Sequence, residues 1–261
     1  IDGPMVRGLL PVADCVDLMA DAMLAVSRGQ VGLSPRSGHP LVDGSGLLGT
    51  MSGSCLVPRT FGCKVMSIIP GNPARGRPTL DGVLLLFDAD TGAPAAVVHG
   101  ATLTALRTAA TSALATRLLA RPDARALLVM GNGVQAAEHI DAVRAVRDIR
   151  QVIVWSRSAE RGAAFRDAQA ERTGLSVVFE PDAERACAAA DVICCTTAAA
   201  APVLRGAWVR PGTHVNLVGS HDAKSAEADA ELIARAIVFV DQTEAALREA
   251  GEIVQAIAAG A

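Results

Sequence analysis

From Ala126 onward the chain alternates two kinds of segment, and that alternation restricts its fold more than any other feature. Short apolar runs, "ARALLVM", "QVIVW", "SVVF", "DVICCT", "THVNLVG" and "AIVFV", carry almost no polar interruption. Longer runs of helical character, "GVQAAEHIDAVRAV", "SAERGAAFRDAQAER" and "DAERACAAA", separate the first four of them. Strands that lack polar alternation are buried on both faces, and helices between them imply parallel pairing with helices on each side of the sheet. The expected fold class is therefore α/β, with a Rossmann-type doubly wound parallel sheet.

The first hundred residues read differently. Glycine and proline recur at short intervals between β-rich runs such as "GLLGTM", "GCKVMSII" and "DGVLLLFDADTGAPAAVV". The last places Asp-Thr-Gly between two apolar runs, which predicts a hairpin. A breaker-free stretch, "TLTALRTAATSALATRLLA", then predicts one long helix joining the two blocks. The expected domains are residues 1–107 and 108–244.

Composition narrows the function. A length of 261 residues, with 51% hydrophobic and 20% charged, suits a globular chain that can bury a sizeable core. A net charge of −3 argues against a nucleic-acid partner, which needs a basic face. No apolar run is long enough to span a bilayer, and the first residues show no basic-then-apolar export signal, so no membrane partner and a cytoplasmic location are expected. The six cysteines, Cys15, Cys55, Cys63, Cys187, Cys194 and Cys195, form no CxxC pair and read as reduced, buried thiols. No metal is expected.

Gly131, Gly133 and Ala136 form G-x-G-x-x-A between an expected strand and an expected helix. In that setting the first glycine permits a tight turn and the second lets backbone approach a pyrophosphate. The small third residue lets helix and strand pack closely. Amides at the helix start, around Val134 and Gln135, then face the phosphate oxygens. An NAD site usually has an acid at the end of the second strand. Here Ser156, Arg157 and Ser158 stand there instead, which favours NADP(H) over NAD(H). The ends of the fourth and fifth strands supply Cys195, Thr196, Val218, Gly219 and Ser220 at the carboxyl edge of the sheet, where open α/β folds bind ligands.

Five segments, "GCKVMSIIPGN", "LTALRTAATSALAT", "GNGVQA", "VWSRS" and "PGTHVNLVGS", with "EADAEL" after the last, occur in an order and spacing that resemble the ornithine cyclodeaminase/mu-crystallin family. The resemblance implies a smaller α+β substrate-binding and dimerisation domain beside the Rossmann domain. It also implies a homodimer, a nicotinamide cofactor and a small imino- or amino-acid substrate. Residues 245–261 are expected to return to the first domain, and family members continue for several dozen residues past the equivalent of "EAGEIVQAIAAGA". Arg36, Lys64 and Arg107 match the family positions that bind the substrate carboxylate, and guanidinium suits such a bidentate grip. Thr108, beside Arg107, is expected to reach a phosphate.

Two departures bear on the reaction. Where cyclodeaminases carry an aspartate after the fifth strand, this chain has His221. Where they carry a glutamate in an early strand, it has Gly49 or Thr50. Without those carboxylates, ornithine cyclisation is not expected. Cationic anchors, a nicotinamide and one histidine suit reduction of a cyclic imine, with His221, or Lys64 through a water, as proton donor. The alternatives are a cyclodeaminase or alanine dehydrogenase-like enzyme, or a non-catalytic mu-crystallin-like binder. His99 and His214 are expected in ordinary structural roles, His139 at the surface, and Asp222, Glu227 and Asp229 in a solvated turn and helix start.

Overall fold

A computed structural model describes residues 1–260, which divide into two compact units, Ile1–Arg107 and Thr108 onward. The first begins with helices α1 (Gly3–Leu9) and α2 (Val12–Ser27). Six strands follow: β1 (Val31–Leu33), β2 (Ser37–Pro40), β3 (Leu47–Leu56), β4 (Arg59–Ile68), β5 (Leu80–Asp88) and β6 (Pro94–His99). They form one antiparallel sheet in the order β1-β3-β4-β5-β6, with β2 also on β3. The expected hairpin is β5–β6. Its loop is closed by Asp88, whose carboxylate accepts from the Asp90 and Thr91 amides, and by Gly92 at φ +73°.

Helix α3 (Gly100–Leu119) matches the expected connecting helix. The second unit then carries β7 (Ala126–Met130), α4 (Val134–Arg144), β8 (Gln151–Trp155), α5 (Ala159–Thr173), β9 (Ser176–Phe179), α6 (Ala183–Ala189), β10 (Val192–Cys195) and β11 (His214–Leu217). All four strand pairs are parallel, in the order β11-β10-β7-β8-β9. The doubly wound fold is thereby borne out. Alternate residues of β7 serve opposite faces. Leu127 and Val129 pack with Ala136, Ile140 and Val143 of α4, whereas Leu128 and Met130 pack with Ala186 and Cys187 of α6. The strand order reverses between β7 and β10, so the loops leaving those two strands diverge and leave space at the carboxyl edge.

Three expectations change. "AIVFV" forms no strand; it is irregular, with Ile237 87% exposed, and it joins neither edge of the parallel sheet. The described residues of the segment 245–261 belong to the second unit and not the first. Among the described residues they form α8 (Thr243–Glu249) and α9 (Gly251–Ala258), and α9 packs against α7 (Ala230–Arg235) within the second. His139 is wholly buried rather than at the surface: it lies on the inner side of α4 and bridges the Gln135 carbonyl (2.7 Å) and the Ser112 hydroxyl (3.0 Å). Burial pushes its pKa down to about 4, so the ring is neutral at pH 7. His99, on Thr102, and His214, on Asn216, hold local structure.

All six cysteines are free thiols, four of them buried. Among the described residues no three metal-capable side chains converge, and no helix is long and apolar enough to cross a membrane.

Candidate functional site

In the second unit the turn after β7 has the conformation its glycines anticipate. Gly131 adopts φ +126°, and a Cβ there would lie 2.8 Å from Thr196 Oγ1, so both backbone freedom and close approach require glycine. At Gly133, the residue preceding α4, a Cβ would meet nothing within 4 Å, and no side chain caps the helix. The first-turn amides of α4, at Val134 and Gln135, therefore carry no side-chain cap and end next to open space, the arrangement that binds phosphate. Ala136 is wholly buried, as the third small position of the turn demands. Gln135 Oε1 and Thr108 Oγ1 are buried without a hydrogen-bond partner among the described residues. Both polar atoms and the turn's open backbone fit a dinucleotide.

After β8, Ser156 and Ser158 are half-buried and Arg157 is exposed. The Ser158 hydroxyl caps α5 by accepting from the Arg161 amide at 3.3 Å, and the Ser156 hydroxyl accepts from the Ser158 amide at 3.4 Å. Residues 156–158 include no carboxylate.

Of the two residues expected at the end of β10, Cys195 turns its side chain into the core and Thr196 is half-buried. Cys195 is wholly buried, its thiol 3.5 Å from the Met130 sulfur, and burial raises its pKa well above the ordinary thiol value. Its contribution is its carbonyl, which accepts from Val218 N–H at 3.1 Å. The Thr196 hydroxyl donates to the Met130 carbonyl at 3.0 Å and thus backs the Gly131 turn. Beyond β11, the Ser220 hydroxyl donates to Glu252, and His221, exposed at the loop, donates from Nδ1 to the Gly219 carbonyl at 3.0 Å.

The sequence reading missed the residue that organises this edge. Glu227, assigned to a solvated turn, is completely buried between buried Ala226 and Ala228. Glu227 stands among Asp222, Lys224, Asp229 and Glu231 in a charge-rich run, so no local signal set it apart. Asp229 is the N-cap of α7, as expected of a helix start, and also accepts from the Gly206 amide. Asp222 is an exposed loop residue.

In the first unit Lys64 lies on β4 between Met51 of β3 and Leu84 of β5, on the sheet face that also buries Met66. Strand alternation alone left open whether it pointed to solvent; it is half-buried. Its pKa falls to about 8 because burial disfavours the charge and because Arg107 and Arg36 lie close enough to repel it. Arg36 is exposed and Arg107 half-buried. Arg107 also acts electrostatically on the buried Cys15 thiol. Lys64, Arg36 and Arg107 thus lie close enough to act on one another electrostatically.

Residues 4–260 match the ornithine cyclodeaminase/mu-crystallin family. The chain belongs to that family. A curated Δ1-pyrroline-2-carboxylate reductase of Paracoccus denitrificans is 41% identical over 206 residues, 77% of this chain and 64% of that protein. The ketimine reductase mu-crystallin of Mus musculus is 34% identical over 82% of this chain and 67% of its own length. This family member thus spans somewhat under two thirds of the first of these relatives. Among solved structures, Δ1-pyrroline-2-carboxylate reductase of Thermococcus litoralis, in complex with NADH and L-proline, superposes with a TM-score of 0.94 at 29% identity. That match covers all of this chain and 80% of the other. The iminosuccinate reductase of Paracoccus denitrificans in complex with NAD+ gives 0.91 at 29% identity, again over all of this chain and 80% of the other.

Proposed function

We propose that the protein reduces a small cyclic imino acid, Δ1-pyrroline-2-carboxylate or Δ1-piperideine-2-carboxylate, to proline or pipecolate, with NADPH preferred over NADH. The observation that carries this reading is the grouping of Arg36, Lys64 and Arg107, where burial first and then the two guanidinium charges depress the Lys64 pKa. A compact α-carboxylate is the ligand that such a cluster holds best. The names of the relatives support the reaction class.

Arg107 and Arg36 grip the carboxylate, and Lys64 adds a third positive charge that is predominantly protonated at pH 7. When bound, the nicotinamide supplies a hydride to the imine carbon. The nitrogen takes one proton, from His221 or from Lys64 through a water, and the C=N bond becomes C–N with one new C–H and one new N–H. The amides of Val134 and Gln135 hold the pyrophosphate, Thr108 adds a hydroxyl, and Gly219 and Val218 shape the loop beside it. Ser156, Arg157 and Ser158 receive the 2′-phosphate.

Nicotinamide oxidation followed with each cyclic imine, with ornithine and with alanine plus NAD+ as controls, tests the reading. Turnover of an imine with NADPH is expected. Ammonia release from ornithine or alanine, or NADPH binding without any turnover, overturns it. Arg157→Ala should lower the preference for NADPH over NADH by about tenfold, the weight of one charge-assisted phosphate contact. An unchanged preference would remove Arg157 from the cofactor site.

We further propose that the protein is a homodimer through the outer face of the antiparallel sheet. Strand register puts Leu48, Leu56, Phe61 and Val97 on that face, each more than a third exposed, and Phe61 stacks on Phe87 at 5.3 Å. The archaeal alanine dehydrogenase dimer, with a TM-score of 0.90 at 29% identity over all of this chain and 79% of that one, supports the assembly. Sedimentation should give twice the chain mass for the protein and a monomer for Phe61→Asp. A dimeric Phe61→Asp would place the interface elsewhere.

A further inference from the structure

Glu227 lies in neither helix nor strand, yet its side chain accepts four hydrogen bonds. Oε1 takes the Thr197 amide at 2.6 Å and the Thr197 hydroxyl at 2.7 Å. Oε2 takes the Gly219 amide at 2.6 Å and the Val218 amide at 3.1 Å. One carboxylate therefore ties the loop after β10 to the loop after β11. Three of the four partners are backbone amides, which can only donate. Burial raises the Glu227 pKa, and these hydrogen bonds oppose the rise.

The Gly219 peptide is the link between this carboxylate and the candidate acid. Its N–H donates to Glu227 while its carbonyl accepts from His221 Nδ1 at 3.0 Å. A carbonyl cannot donate, so Nδ1 carries the proton and Nε2 is the nitrogen that gains or loses one. Only glycine fits at 219: a Cβ would come within 1.9 Å of the Thr197 carbonyl and 2.6 Å of the Glu227 carboxyl carbon. A second acid secures the same loop from beneath. Glu252, in the first turn of α9, accepts from the Glu227 amide at 2.7 Å and from the Ser220 hydroxyl at 2.6 Å.

We infer that Glu227 is a positioning residue: by accepting from Gly219, Val218 and Thr197 it fixes the Gly219 peptide, and through that peptide the tautomer and aim of His221. The consequence for turnover rests on the imine-reductase reading; the consequence for the imidazole does not.

Nitrogen-15 NMR of the His221 ring, assigned with a His221 variant, tests this in the protein without cofactor. The wild type is expected in the Nδ1–H tautomer. In Glu227→Gln the side chain keeps its shape, but the amide nitrogen cannot accept from an N–H. The tautomer should then move towards the Nε2–H form. NADPH dissociation, read by fluorescence, should weaken several-fold. Where the enzyme turns over, kcat should fall by tenfold or more with the imine KM within about twofold, as expected for lost alignment. A folded Glu227→Gln protein whose His221 tautomer matches the wild type overturns the inference, since a merely space-filling glutamate tolerates its isostere. Thr197→Val removes one donor only and should shift the tautomer in the same direction by less. It serves as the test if Glu227→Gln does not fold, and no shift there is equally fatal. Absence of imine turnover in the wild type would defeat the proposed reaction and leave the tautomer comparison standing.

Discussion

Arg107→Ala is expected to raise the KM for the cyclic imine by about tenfold to a hundredfold while kcat changes far less. A hydrogen bond to a charged group contributes about 1.5–3 kcal/mol, which sets that range. The effect falls on KM because the carboxylate keeps its charge throughout the reaction, so its anchor binds ground state and transition state alike. Arg107→Lys should recover only part of the loss, since an ammonium lacks the planar fork that takes both oxygens. A substrate-free readout accompanies the kinetics. Arg107 helps depress the Lys64 pKa to about 8, so its removal should let that pKa rise towards the ordinary lysine value. An unchanged KM would take Arg107 out of the substrate site. An unchanged Lys64 pKa would mean that burial alone, the larger cause, sets it.

His221→Ala is expected to lower kcat by about a hundredfold with little change in KM, because a positioned acid acts in the transition state and not in binding. The histidine sits on a loop whose backbone is fixed by Glu227 and Glu252, so its loss removes a side chain without releasing the loop. A fall of less than threefold would assign the proton to Lys64 through a water. A general acid must be protonated, so turnover that depends on Lys64 disappears as pH rises through about 8.

The legible parts of the site are those whose chemistry is local. The G-x-G-x-x-A turn announced a conformation that Gly131 adopts, and Arg36, Lys64 and Arg107 were each visible in family motifs. Position at a strand end was a weaker guide. It named Cys195 and Thr196 as cofactor residues, but β10 is buried on both faces, so the cysteine thiol lies in the core, while the threonine hydroxyl bonds the Met130 carbonyl. The histidines show the same limit. His139 looked like a surface residue of an amphipathic helix, and only its packing against Ser112 of α3 shows why a polar ring is tolerated at full burial.

The sequence by itself determined the glycine turn and the hairpin, because each follows from interactions among residues a few positions apart, and its alternation of apolar and helical runs announced the parallel sheet. Tertiary structure decided the rest. "AIVFV" has the composition of a strand, but a strand exists only where it pairs with a neighbour, and this segment pairs with none. Glu227 has the composition of a solvated turn, yet its donors come from Thr197 and Gly219, 30 and 8 residues away. Whether a charge is solvated or buried depends on which distant groups the fold brings to it, and local pattern carries no record of them.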